Sequence, residues 1–248
     1  MSKPTAGIFG LTGCAGDQLV ILNCEDRLLD IAGALDIREF LMAASNGHAS
    51  GPLDVALVDG AVVTARDEAM LREIRGRSGL LVALGTCAVW GGVAAMDGDR
   101  AALKQEIYGE AGAAYDASRA RALREVVPVD LNIPGCPIEK EEFVQAVSML
   151  LHGDPPAPPG YAVCAECRMR ENNCLLLENG EVCCGPLTVA GCNARCPELH
   201  SPCIGCRGPA SDVNLASALA MFEQRGIPRA EVARKLRTFA PMPAGGRS

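Results

Sequence analysis

Short apolar runs alternate with amphipathic stretches through the first 150 residues. Ala6–Phe9, Leu53–Val58, Leu80–Leu84 and Val126–Ile133 are runs bounded by glycine or polar residues, the pattern of strands buried on both faces. Between and after them the period lengthens toward a helical one. Gln18–Leu29, Asp36–Ala44, Ala65–Arg75 and Ile138–Leu151 predict helices, and the last sets Phe143, Val144, Val147, Leu150 and Leu151 on one face. Alternation of strand and helix predicts an α/β fold, a doubly wound parallel sheet with helices on both faces.

The pattern then changes. Gly153-Asp154-Pro155-Pro156-Ala157-Pro158-Pro159-Gly160 reads as a stiff connector, which predicts one domain over 1–152 and a second over 161–248. From Cys164 to Cys206 periodicity fades and Gly, Pro, Asn and Cys dominate, so a small, mostly irregular domain held by something other than an apolar core is expected. Helical patterning resumes at Ser211–Arg225 and Arg229–Thr238, the latter opened by Pro228, and the tail Ala244–Ser248 is expected to fray.

Composition sharpens this picture at one point: 13 cysteines stand beside 3 histidines in 248 residues. The net charge of -7 offers no electrostatic footprint for nucleic acid. The opening MSKPTAGIFG lacks a basic region followed by an apolar one, and no stretch approaches the length of a membrane span. The expectation is a chain kept in a reducing cytoplasm, where thiols bind metal rather than pair as disulfides.

Three cysteines share one context. Cys14 (in Leu-Thr-Gly-Cys-Ala-Gly-Asp), Cys87 (Gly-Thr-Cys-Ala) and Cys136 (Pro-Gly-Cys-Pro-Ile) each follow the carboxyl end of a predicted strand, the edge where open α/β sheets bind ligands. Three thiolates there suit a soft metal centre, and flanking glycines let backbone amides approach it. A cubane takes four ligands, and Asp17 stands where a Cys-x-x-Cys pair would place the fourth. The alternative role for Asp17 is a cap on the following helix. Cys24 lies inside a helical pattern and reads as an ordinary buried thiol.

Further along, spacing divides eight cysteines into two fours: Cys164, Cys167, Cys174 with Cys183 or Cys184, and Cys192, Cys196, Cys203, Cys206. Both zinc and iron–sulfur clusters accept four thiolates. The intermediate positions at 174 and 192–196 break the paired hairpins of a zinc ribbon, and prolines follow several ligands as in ferredoxin-type runs, so clusters are favoured over a two-zinc scaffold.

These motifs resemble those of nickel–iron hydrogenase small subunits. The strand-end motifs are similar to the proximal-cluster motifs, and the run from Cys164 to Pro197 with Pro-Cys-Ile-Gly-Cys-Arg-Gly-Pro resembles the two-cluster domain of the cytoplasmic, sulfhydrogenase-like branch. The resemblance spans about residues 5–210. It implies a flavodoxin-like domain and three 4Fe–4S clusters. Cys14, Cys87 and Cys136 match proximal ligands, with Asp17 where most members have cysteine. Cys164, Cys167, Cys174 and Cys183 match one further cluster, Cys183 fitting the C-x-G-P motif better than Cys184, and Cys192, Cys196, Cys203 and Cys206 match the other. It also implies a large subunit holding the nickel–iron site and a diaphorase partner, with flavin or NAD(P), toward which electrons are relayed. No G-x-G-x-x-G or Walker pattern occurs, so a nucleotide would bind a partner chain.

Overall fold

Five parallel strands order the first half of the chain. In a computed structural model the described residues are 3–44, 51–96, 100–114, 118–157, 159–211 and 213–240, so the tail expected to fray lies outside them. The elements run β1 (Thr5–Gly10), α1 (Gly16–Leu22), α2 (Asp26–Ala34), β2 (Asp36–Phe40), β3 (Leu53–Asp59), α3 (Ala65–Arg77), β4 (Ser78–Leu84), α4 (Gly85–Trp90), α5 (Arg100–Tyr108), β5 (Leu131–Ile133) and α6 (Lys140–Leu151). There follow α7 (Val163–Met169), α8 (Leu175–Glu178), α9 (Arg195–Glu198), α10 (Leu215–Gln224) and α11 (Arg229–Leu236). The strand order is β2-β1-β3-β4-β5, every neighbouring pair parallel, which is the flavodoxin-like order.

Alternation along the strands divides the sheet's apolar residues between two layers. Ala6, Ile8, Leu57, Val82 and Leu84 pack with Ile21 of α1, Ile31 of α2 and Phe143 of α6 on one face. Ala56, Val58, Leu81 and Ala83 pack with Leu71 and Ile74 of α3 and Ala88 of α4 on the other. Both faces are covered, as an all-parallel sheet requires. α3 starts where Thr64 and Asp67 exchange side-chain and backbone hydrogen bonds in a capping box.

Three sequence expectations change. Asp36–Ala44 is not a helix: Asp36–Phe40 is the edge strand β2, pairing with β1. Its charged residues hid the strand, yet charge is what a sheet edge carries, and Glu39 turns inward to an ion pair with Arg77 at 2.9 Å. Gln18–Leu29 is two helices, broken around Glu25, whose φ of 47° no helix accepts. Val126–Ile133 contributes only the short β5, after a 3-10 turn at Leu123–Glu125. Pro128 has no N–H to give a ladder.

The cysteine-rich region is mostly irregular, as expected, but it does own a core. Phe222 of α10 and Val232 and Leu236 of α11 pack against Leu176, Val182 and Leu187 of the cysteine-bearing loops. Truncating fully buried Phe222 should therefore cost about 3–5 kcal/mol. The loss should fall on amide protection in 163–236, measured by hydrogen exchange, and leave β1, β3 and β4 protected. Equal loss across the sheet would contradict this separate packing.

Candidate metal centres

The carboxyl ends of β1, β3, β4 and β5 meet around one site. Cys14 lies in the loop after β1, Asp59 ends β3, Cys87 sits in the first turn of α4 directly after β4, and Cys136 follows β5. The backbone ties these loops together: Thr86 N–H donates to the Gly135 carbonyl (2.7 Å), and Ala61 N–H to the Thr12 carbonyl (2.8 Å). Cys14 and Cys136 are exposed and Cys87 is half-buried, so the site opens at the surface. Burial pushes the Cys87 thiol up to about 12, with Cys136, Asp59, Asp17 and Cys14 adding to the shift. Cys136 is raised by burial and then by Asp17, Cys14 and Asp59.

Asp17 belongs to this group but does not cap its helix: α1 has Ala15 at its N-cap and no side-chain cap bond. The carboxyl is buried, accepts the Ile138 N–H at 2.8 Å and lies against Asp59. Burial and the neighbouring charge hold its pKa up at about 7, against the opposing pull of the Ile138 N–H. Asp59 is raised too, mainly by burial, and accepts from Gln18 Nε2 at 3.3 Å. A hydrogen bond between the two carboxyls adds to the rise of Asp17 and opposes that of Asp59, as expected of a like-charged buried pair. Gly85, at φ +77°, makes room for this: a Cβ there would overlap the Asp17 carboxylate.

The first later set also converges. Burial pushes Cys164 up to about 12, with Cys183, Cys167 and Cys174 adding in that order, and Cys167 is raised by burial and then affected by Cys183 and Cys174. Cys184 is buried within the apolar core of this region, while Cys183 Sγ accepts the Cys203 N–H at 3.3 Å. Of the second set, Cys206 is raised to about 12 by burial, with Cys192, Cys196 and Cys136 as its thiol neighbours. Cys203 is the exception: its thiol neighbours are Cys183 and Cys184, so it lies at the seam between the two sets. Cys24 is a core residue whose thiol donates to the Val20 carbonyl at 3.4 Å, as its helical context suggested.

All thirteen cysteines are free thiols. The strand-end and later-set thiols, crowded within each group and repelling one another as anions, form a donor set that a thiophilic cation would relieve. That is the chemistry of an iron–sulfur site, and the residues fit it.

Sequence reasoning missed two charged residues inside the cysteine motifs. Glu166, between Cys164 and Cys167, is buried and accepts the N–H of Gly191 (2.7 Å) and of Ala194 (3.2 Å), so it binds the first set's helix to the second set's loop. Arg207, directly after Cys206, is 1% exposed and reaches Glu142 of α6. A charge embedded in an apolar, cysteine-rich motif was the available signal, because burying one demands partners.

A sheet edge lined with thiols, continued by a second thiol-rich region, defines an iron–sulfur electron-transfer protein. Comparison with known proteins narrows the class. The family model described as NADH ubiquinone oxidoreductase, 20 Kd subunit, matches residues 14–150. The sulfhydrogenase 2 subunit delta of Pyrococcus furiosus is 42% identical over 234 residues, covering 94% of this chain and 98% of that one. A chain of a NAD+-reducing [NiFe]-hydrogenase in the H2-reduced state aligns at TM-score 0.56 and 25% identity over 64% of this chain and 96% of that one. The reduced Ni-Fe-Se hydrogenase of Desulfomicrobium baculatum shares the fold, at TM-score 0.59 and 20% identity over 84% and 95%. The chain belongs to the [NiFe] hydrogenase small-subunit family and is an electron-transfer subunit that binds iron–sulfur clusters.

Replacing Glu166 with Gln keeps its shape but turns an amide donor toward one of two buried N–H groups. The expected cost is about 1–3 kcal/mol, read from chemical denaturation of the purified chain. An unchanged midpoint would mean that the Glu166 bonds do not hold the two loops together.

Proposed function

We propose that this chain relays electrons between the nickel–iron site of a large subunit and a diaphorase partner through three 4Fe–4S clusters. A 4Fe–4S cluster, when bound, supplies one-electron chemistry whose potential depends on hydrogen bonds and exposure. Cys14, Cys87 and Cys136 would hold the first, with Asp17 as fourth donor. Cys192, Cys196, Cys203 and Cys206 would hold the second, and Cys164, Cys167, Cys174 and Cys183 the third.

One observation carries the reading: the three thiol groups form a continuous series. Thr86, next to Cys87, donates its hydroxyl to the Cys206 carbonyl, linking the strand-end group to the second set. Cys183 is in turn a thiol neighbour of Cys196 and Cys203, linking the second set to the third. Exposure of Cys14 and Cys136 favours the sheet edge as the face toward the large subunit, and the Cys164 set then lies at the outgoing end.

The partner beyond the third set is proposed as a NAD(P)-linked flavoprotein, supported by the likeness to a chain of a NAD+-reducing enzyme. Free thiols throughout suit a reducing, cytoplasmic compartment, and no described helix is long and apolar enough to cross a membrane. The division into a sheet domain over 1–152 and a cluster domain over 161–248 follows the same reading.

Anaerobic purification with co-purifying chains should give about 12 iron and about 12 acid-labile sulfide per chain, with nickel only when a large subunit is present. About two zinc and negligible sulfide would replace the relay with a structural scaffold. Asp17→Cys should keep the iron content and shift the spectrum and potential of one cluster. An Asp17→Ala protein with an unchanged cluster spectrum and potential would remove Asp17 from the ligand set.

A further inference from the structure

Arg207 makes more directional contacts than any packing role requires. Its Nη1 donates to the Pro134 carbonyl (2.6 Å) and to Glu142 Oε2 (2.7 Å), its Nη2 to Glu142 Oε1 (2.7 Å), and its Nε to the Ala190 carbonyl (2.9 Å). These acceptors lie in three segments: the β5 loop two residues before Cys136, the helix α6, and the loop two residues before Cys192. Neighbouring backbone is gripped as well. Trp90 Nε1 donates to the Arg207 carbonyl at 3.2 Å, and Thr86 Oγ1 donates to the Cys206 carbonyl. Gly191 leaves room for the fork, since a Cβ there would overlap the guanidinium.

A buried ion pair is a poor device for stability alone, because apolar residues of similar volume would serve as well. What a planar guanidinium with fixed donors adds is register: it satisfies its acceptors only when all three segments stand in one arrangement. That arrangement sets the Cys206 carbonyl on the Thr86 hydroxyl, beside Cys87, and the Pro134 carbonyl, just before Cys136, on the guanidinium.

We propose that Arg207, locked by Glu142, is a positioning residue that fixes the separation of the strand-end thiol group from the second set. Its side-chain hydrogen bonds go to Glu142 and to the loops that carry Cys136 and Cys192, and it follows Cys206 in the chain, so it acts through those loops. The inference rests on the relay reading above, and adds that the first inter-cluster step depends on this one side chain. Partners in such outer positions typically govern affinity or activity by about 10- to 100-fold.

The test uses the complex with its large subunit, purified anaerobically, as wild type, Arg207→Lys, Arg207→Met and Glu142→Gln. Iron and sulfide are assayed first, and the magnetic interaction between reduced clusters is then read by electron paramagnetic resonance alongside hydrogen-dependent viologen reduction. Lys cannot reproduce the fork, so Arg207→Lys is expected to keep its iron, to weaken or alter the inter-cluster splitting, and to slow reduction by about tenfold. Glu142→Gln should change the splitting in the same sense and less far. If Arg207→Met loses iron through misfolding, the Lys and Gln variants decide. Fully loaded Lys and Gln variants with wild-type splitting and rate would overturn the proposal. Wild-type protein without iron would instead defeat the relay reading, so the two failures are distinguishable.

Discussion

Crowding acidic groups away from water is the constraint on which this molecule turns. Three thiols and two carboxyls share the sheet edge, and burial with mutual repulsion raises Cys87 and Asp17 far above their ordinary ranges. Left alone, such a site is a liability that a core of valines would not carry. It makes sense as a receptor for positive charge: iron held there would favour the thiolates, the thiol protons would leave to solvent, and repulsion would become attraction. The parallel sheet supplies the means, because its topology gathers four strand ends from distant parts of the chain without any local motif joining them.

A second demand follows. Loops that carry thiols have few regular backbone hydrogen bonds, so their placement falls to side chains. Charged residues buried inside the motifs meet that need: Glu166 takes the amides of Gly191 and Ala194, and Arg207 takes the carbonyls of Pro134 and Ala190. Each joins one thiol group to the next. The apolar core of α10 and α11 lies beneath, so the cysteine region is not held by metal alone.

The sheet's interior was legible because β1, β3 and β4 are buried on both faces and therefore read as apolar runs. Edge strand β2 was not, since Asp36, Arg38 and Glu39 obey the solubility needs of an edge rather than the pattern of a core. Cysteine spacing grouped the thiols well, and Cys203 is the informative departure. Its spacing belongs to the last four, but its N–H donates to the Cys183 Sγ and its carbonyl accepts from the Cys184 N–H, which draws it to the seam. Linear spacing carries no record of such cross-chain contacts. The same holds for Asp59, which ends a strand as an unremarkable polar residue and becomes the partner of Asp17 only once the sheet has formed.

The hydrogen bond from the Thr86 hydroxyl to the Cys206 carbonyl bears on modularity. The proline-rich connector looks like a place to cut, and the family model stops at residue 150. Yet Thr86 and Trp90 spend their donors on the carbonyls of Cys206 and Arg207 in the neighbouring region. A sheet domain severed at the connector would carry unfilled donors beside its own cysteines. Grafting the second region onto another scaffold would require that scaffold to offer the same donors to the backbone of Cys206 and Arg207.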